Sequence, residues 1–316
     1  KLFKYWLITL IFLILSMISV GGLTRLTESG LSITQWELFK GILPPLNQND
    51  WKNYFTLYKE IPQYKLLNYN MTLNEFKIIF YWEYFHRLLG RIIGLFFLIP
   101  LVLFSLNKKI QFKNLFSYYV IFFLILFQGY IGWYMVESGL TNDVTVSHYR
   151  LASHLLLAFL IISILFWSLL NVQNNTQKKF ISMSKVGLSI KILILLLFVQ
   201  IILGAFVSGL DAGNIYQTWP YMNLAFFPDD VLINNFNDLL DFNNRSLVQF
   251  FHRNLAYLIF VYVIFVGYLI FFNKKIIFKN YVLVFTLVLV QVVMGILTLL
   301  TNLNIYLAAL HQITSL

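Results

Sequence analysis

Residues 5–36 read YWLITLIFLILSMISVGGLTRLTESGLSITQW, and residues 188–219 read LSIKILILLLFVQIILGAFVSGLDAGNIYQTW. Each stretch opens on an apolar run of about 18 to 20 residues, the length of helix that crosses a hydrocarbon core roughly 30 Å thick. Each then turns polar through a related signature. Gly21, Glu28, Gly30 and Trp36 match Gly204, Asp211, Gly213 and Trp219 at a constant offset of 183. The match continues downstream with smaller offsets: His86-Arg87 with His252-Arg253 at 166, Gln128 and Gly132 with Gln291 and Gly295 at 163, and His154 with His311 at 157. Shorter loops in the second copy absorb each decrease. The chain is therefore read as an internal duplication of a membrane-spanning unit.

Working outward, long apolar runs bounded by polar turns predict helices near 5–22, 78–106, 115–136, 147–170, 187–208, 246–272, 280–301 and from 304 onward. The expected fold is an all-α membrane protein of eight transmembrane helices, arranged as two tandem four-helix bundles. The predicted halves are residues 1–172, with a long outer loop at 23–77, and residues 173–316. Four helices per half is an even number, so both halves enter from the same side and a pseudo-two-fold axis along the membrane normal relates them. The last run has only 13 residues before Leu316 and the chain opens on Lys1, so the sequence reads as trimmed at both ends. The first run resembles a signal peptide but has no small-x-small cleavage site, and its later counterpart argues for a retained helix.

Composition agrees. Of 316 residues, 59% are hydrophobic, 18% aromatic and only 11% charged, against about 25% charged in a soluble domain; mean hydropathy is +0.74. A soluble enzyme, a nucleic-acid-binding module and a disordered chain are excluded. The net charge of +10 comes from lysines and arginines that punctuate the ends of apolar runs. Lys1 and Lys4, then Lys108, Lys109 and Lys113, then Lys178, Lys179 and Lys185, then Lys274, Lys275 and Lys279 mark alternate connections as cytoplasmic, or matrix-facing in a mitochondrion. All 13 acidic residues fall in the other connections or just inside the adjoining helix ends. Both termini are thus expected on the cytoplasmic side of an inner membrane. With no cysteine, metal chemistry must use His and carboxylate.

Four of the five histidines, His86, His154, His252 and His311, occupy the repeat-related positions. Each lies about six to nine residues into a helix that begins outside, a depth of roughly 10 Å at about 1.5 Å per residue. One intramembrane His is explained equally well by a hydrogen bond to a neighbouring helix. Four at one level, two per half, match the way bundles hold a haem iron between facing imidazoles. Zinc usually recruits three or four ligands, which the second half does not offer at that level. His148 has no repeat partner and is read as a solvated interfacial residue. Arg87, Arg91, Arg150 and Arg253 accompany the histidines, in position to hold haem propionates near the outer interface; snorkelling or pairing with nearby acids explains any one of them as well.

The halves differ at one place that bears on chemistry. Glu83 precedes His86 by three residues and shares its helix face, whereas Gln249 stands before His252. A carboxylate there can exchange protons or stabilise developing positive charge, which a passive electron carrier does not need; the plainer reading is an ion pair with Arg87 or a hydrogen bond to an imidazole. The N-terminal half is accordingly expected to perform chemistry and the C-terminal half to hold a permanent cofactor.

The runs GGLTRLTESGLSITQW at 21–36, EYFHRLLGRIIG at 83–94, YRLASH at 149–154, GLDAGNIYQTWP at 209–220, FFHRNLAY at 250–257 and LAALH at 307–311 resemble haem A synthase over nearly the whole chain. The resemblance implies an oxidoreductase that converts the C8 methyl group of haem O to a formyl group, by way of an alcohol and a hydrated aldehyde, to give the haem A of terminal oxidases. It implies haem b between His252 and His311, and haem O as substrate beside His86, His154 and Glu83. An external electron donor and haem O synthase are the partners it suggests. Many bacterial relatives carry paired cysteines in their outer loops; this chain resembles the cysteine-free branch. Its loop 23–77 is then expected to order itself by packing, with Trp36, Pro44, Pro45 and Trp51 as anchors, or to be seated by them at the headgroups. Two other classes share parts of the pattern: a di-haem b-type electron-transfer cytochrome, and a repeat-built transporter with histidine proton relays. Small residues such as Gly90, Gly94, Gly129, Gly132 and Gly295 permit close helix approach, within the fold or in a homo-oligomer alike.

Overall fold

The structure, a computed structural model, describes residues 1–36, 40–107, 112–141, 143–174, 185–273 and 277–316. Its α-helices in chain order are α1 (Leu2–Leu26), α2 (Gln48–Lys59), α3 (Pro62–Leu66), α4 (Leu73–Leu106), α5 (Phe112–Thr141), α6 (His148–Gln173), α7 (Lys185–Gly209), α8 (Arg245–Asn273), α9 (Phe278–Leu300) and α10 (Ile305–Thr314). Seven of them, α1 and α4 to α9, are long and apolar enough to cross a membrane. The eighth predicted helix forms as α10, but with 10 residues it is too short to count as a span. Among the described residues there is no strand, only the isolated bridge between Met222 and Ala225.

These helices form because they are apolar around their whole circumference, the pattern of segments that face protein on one side and lipid on the other. In α1, Leu7, Leu10, Ile14 and Ile18 recur at helical spacing and are buried, while Phe12 on the other side is 65% exposed. An exposed phenylalanine face of this kind is stable only against hydrocarbon. Bounds differ from the sequence reading by up to five residues, at starts and ends alike. The fourth helix begins at Leu73 rather than 78, because Thr72 and Glu75 form a capping box: the Thr72 backbone N–H donates to Glu75 Oε2 at 2.7 Å and the Glu75 N–H to Thr72 Oγ1 at 3.4 Å.

The chain divides into two compact units, Lys1–Lys178 and Lys179–Leu316. In the first, α1 packs against α4 and α6, and α5 packs against the same two helices, which closes a ring of four. Its core joins Trp6, Leu10 and Ile14 of α1 to Ile93, Phe97 and Leu101 of α4, Ile121 of α5 and Ile161 and Leu165 of α6. A second cluster, toward the start of α4, joins Leu31, Trp51, Tyr58 and Ile61 to Phe76, Phe80 and Tyr84 of that helix. The loop at 23–77 thus folds onto the helix ends and contributes α2 and α3. Of its four expected anchors, Trp51 is buried with its ring 5.0 Å from that of Phe80. Pro44 and Pro45 are half-buried, and Trp36 is 49% exposed.

In the second unit α7 packs against α8, α8 against α9 and α9 against α10. Among its buried residues are two small clusters, Val186 with Val266 and Ile270, and Leu193 with Ile259 and Val263. The repeat is visible in the backbone: Glu28 and Asp211, which correspond in sequence, both take left-handed conformations, at φ 52° and 50°. Lys108, Lys109, Lys178, Lys179, Lys274 and Lys275 lie outside the described residues, as do the side chains of Lys113 and Lys185.

Candidate haem-binding sites

Each of the four repeat-related histidines rests its ring on a glycine of the preceding long helix. A Cβ added to Gly21 would stand 2.8 Å from His86 Cε1, one on Gly132 2.9 Å from His154 Cε1, one on Gly204 3.2 Å from His252 Cε1, and one on Gly295 2.9 Å from His311 Cε1. The imidazole edge occupies the space that any other residue's side chain would fill. His86 of α4 lies close enough to His154 of α6 for the rings to interact electrostatically, and His252 of α8 is in the same relation to His311 of α10. The structure therefore brings the sequence-predicted histidines together as two pairs, one per unit.

The rings have donor capacity to spare. Nδ1 of His86, His154 and His311 is shielded from solvent without a hydrogen-bond partner. Buried polar atoms are normally satisfied, so each exception calls for an explanation, and a bound group is one of them. Among the described residues no three His, Cys, Asp or Glu side chains converge; what converges is two imidazoles per unit, the donor set of a six-coordinate haem. The residues present fit a haem in each unit.

Glutamines hold the histidine helices in register. Gln128 Nε2 donates to the His154 carbonyl at 2.9 Å, Gln200 Nε2 to the His252 carbonyl at 3.0 Å and Gln291 Nε2 to the His311 carbonyl at 2.8 Å. Each glutamine stands four residues before a seating glycine, one helical turn below it. The sequence reading noticed two of these pairs as repeat markers and missed Gln200; the signal available was the recurrent Q-x-x-x-G spacing.

Glu83 is buried in α4, and both of its oxygens are taken. Oε2 accepts from Ser32 Oγ at 2.7 Å and from the Ile33 backbone N–H at 2.8 Å, while Oε1 accepts from Arg87 Nε at 3.0 Å and Nη2 at 2.6 Å. Arg87 also donates to the Ile33 carbonyl at 2.9 Å, and its guanidinium lies 5.3 Å from the Trp36 ring centre. Carboxylate and guanidinium together clasp one loop residue at both its N–H and its C=O. Ser32 and Ile33 were not anticipated from the sequence, because a loop-to-helix contact 50 residues apart has no local signature.

The second unit repeats the clasp without the acid. Arg253 donates to the Tyr216 carbonyl at 2.8 Å and the Thr218 carbonyl at 2.9 Å, and Gln249 Nε2 donates to the same Tyr216 carbonyl at 2.8 Å. Ile33 and Tyr216 correspond at the repeat offset of 183. Arg150 donates to the Tyr134 carbonyl at 2.6 Å and lies 3.7 Å over the Tyr134 ring. Arg87 and Arg91 line one cleft with Tyr54, Phe80 and Tyr84. His148, read from sequence as solvated, is buried at the start of α6, its ring tilted against that of Tyr149 with centroids 4.1 Å apart.

Residues 4–316 match the COX15-CtaA family, described as cytochrome oxidase assembly protein. The chain belongs to this family. It is similar to proteins named haem A synthase from Pelagibacter ubique, 51% identical over all of this chain and 93% of the relative, and from Bartonella tribocorum, 40% identical over 99% of this chain and 88% of the relative. A haem A synthase of Rickettsia bellii is 40% identical over 97% of this chain and 92% of its own length. The family match runs through both histidine pairs, both seating-glycine sets and the Glu83–Arg87 clasp.

Proposed function

We propose that this chain is a haem A synthase, an oxidoreductase of the membrane that converts the C8 methyl group of haem O to the formyl group of haem A. The observation that carries this reading is the pairing of four glycine-seated imidazoles, two per unit, in a chain related along its whole length to enzymes of that name. Methyl to formyl is a four-electron oxidation, so besides a haem O supply the enzyme needs an oxidant to take those electrons, dioxygen in the assay below, and an electron donor to keep the haem irons reducible. Haem b, held by His252 and His311, supplies one-electron transfer when bound.

In this reading the first unit takes haem O between His86 and His154. Glu83 provides the negative charge nearest to His86 along α4, and through Ser32 and Ile33 it ties the loop to α4 about one turn before that histidine. Arg87, Arg150 and Arg253 stand by the outer ends of their helices, where the propionates of a porphyrin would lie. The domain roles follow: residues 1–172 hold the substrate and residues 173–316 the resident haem, each half entering from the cytoplasmic side, with the haem sites toward the outer leaflet and α10 as the eighth helix of two tandem four-helix bundles. A di-haem cytochrome would use the same histidines but has no need of an acid in one half only.

The test is turnover. Purified protein is incubated with haem O, a reductant and air, and the extracted haem is separated by reversed-phase chromatography. Haem A is expected with the unaltered chain and not with His86→Ala or His154→Ala, whose resident haem spectrum persists. Extracts that contain only haem O from the unaltered, haem-loaded protein would sink the assignment.

A further inference from the structure

Three of the four histidines are held by a glutamine one turn below their seating glycine, and the fourth is not. The position that corresponds to Gln200 at the offset of 183 is Met17, four residues before Gly21. Methionine has no proton to donate to a carbonyl, and among the described residues no side chain donates to the His86 carbonyl. Its methyl end lies instead beside the next turn of α4, 3.3 Å from where a Cβ on Gly90 would stand. At the offset of 166 the second unit has Ala256 in that place, so the first unit has exchanged Gln and Ala for Met and Gly as a set.

The consequence is mechanical. A backbone carbonyl has two lone pairs, and in a helix one is used by the N–H four residues on. The glutamine N–H takes the other and ties the histidine's own backbone to the neighbouring helix at the level of the ring. Axial slip and rotation of the helix, which would lift the imidazole from its glycine, then break a hydrogen bond in an apolar medium. A thioether resists such motion only by soft, adaptable packing. Both histidines of the second unit are clamped, whereas the first unit has one clamped ligand, His154, and one unclamped, His86.

We propose that the residue one turn below each seating glycine sets how long a haem stays in its unit, with Gln200 and Gln291 locking the resident haem and Met17 leaving His86 able to yield so that substrate enters and product leaves. This rests on the reading that both histidine pairs bind haem. Met17 and Gln200 are positioning residues: Gln200 Nε2 holds the His252 carbonyl at 3.0 Å and also stands 3.2 Å and 3.4 Å from the nitrogens of that ring, contacts for which a thioether has no proton. Met and Gln reach equally far from the backbone, so the exchange tests the hydrogen bond with only a modest change of packing.

The experiment follows haem transfer from the full-length protein in detergent to excess apomyoglobin, after loading both sites with iron protoporphyrin IX. The unaltered chain should release in a fast and a slow phase, with His154→Ala removing the fast phase and His311→Ala the slow one. Met17→Gln is expected to slow the fast phase, and Gln200→Met to quicken the slow phase, each by roughly 3- to 15-fold, the range of interhelical hydrogen bonds in membranes. The low-spin EPR signal of the first site should also sharpen toward that of the second in Met17→Gln, because a clamped helix fixes the ring plane. A fast phase and signal unchanged in Met17→Gln would overturn the proposal even if Gln200→Met failed to fold. If neither His154→Ala nor His311→Ala removes a phase, the haem sites themselves are wrongly assigned and the proposed function falls with them.

Discussion

A methyl group placed on Gly21, Gly132 or Gly295 would meet an imidazole carbon at 2.8 to 2.9 Å, closer than carbon atoms tolerate, whereas on Gly204 the distance is 3.2 Å. Overpacking of this kind costs about 1–3 kcal/mol, and the ring, being the movable partner, gives way first. Alanine at position 132 or 295 should therefore loosen haem in the corresponding unit more than Gly204→Ala does. Haem content per chain after purification checks the order, and equal retention in all variants would remove the glycines from the ligand seats. Glu83 poses a different question, because its carboxylate is an ion-pair partner with no exposed edge. Glu83→Gln brings an NH₂ group against donors on every side, and breaking a buried pair from one end costs about 3–5 kcal/mol. The expected variant is less stable to heat and fails to make haem A, yet keeps the spectrum of the haem in the second unit. Turnover at the unaltered rate would leave Glu83 a purely structural residue.

The helices α2 and α3 show what an element owes to partners distant in sequence. Tyr58, fully buried in the outer loop, donates from its hydroxyl to Gln63 Oε1 at 2.9 Å and accepts from Asn68 Nδ2 at 2.8 Å. Gln63 in turn donates to the Glu28 carbonyl at 3.1 Å, just past the end of α1. Burial pushes the Tyr58 hydroxyl up from 10.0 to about 12. The folded protein thus binds this proton more tightly than the unfolded chain. Its contribution to stability is complete below pH 10 and is lost as pH rises from 10 to about 12. Alkaline unfolding followed by near-ultraviolet circular dichroism should show this limb, and Tyr58→Phe should flatten it while lowering stability at neutral pH. The long spans were legible because an apolar run of 20 residues has one stable answer in lipid. The capping box at Thr72 and Glu75 was passed over, although T-x-x-E is a local signal, and it sets the start of α4 five residues earlier than apolarity alone suggests. The 12-residue α2 had no such signal, because it is mostly polar and owes its place to Trp51 and Tyr58 packing on α4.

Topology belongs to the molecule as a whole, and the absence of cysteine makes it directly testable. Asn70→Cys, in the outer loop, should react with a membrane-impermeant maleimide in intact cells, and Lys279→Cys, near the start of α9, only after the membrane is opened. Labelling of Lys279→Cys from outside would invert the proposed orientation. On this scale the sequence by itself determined the membrane class, the seven long spans, the duplication and the identity of the four histidines, since all of these depend on composition and spacing along one chain. Only the tertiary structure decided that each imidazole lies on a glycine, that Glu83 is closed off by Ser32, Ile33 and Arg87, and that the carbonyl of His86 goes ungripped while its three counterparts are held. Those facts arise where side chains on different helices compete for the same few ångströms, and no spacing rule along a single helix records which of them wins.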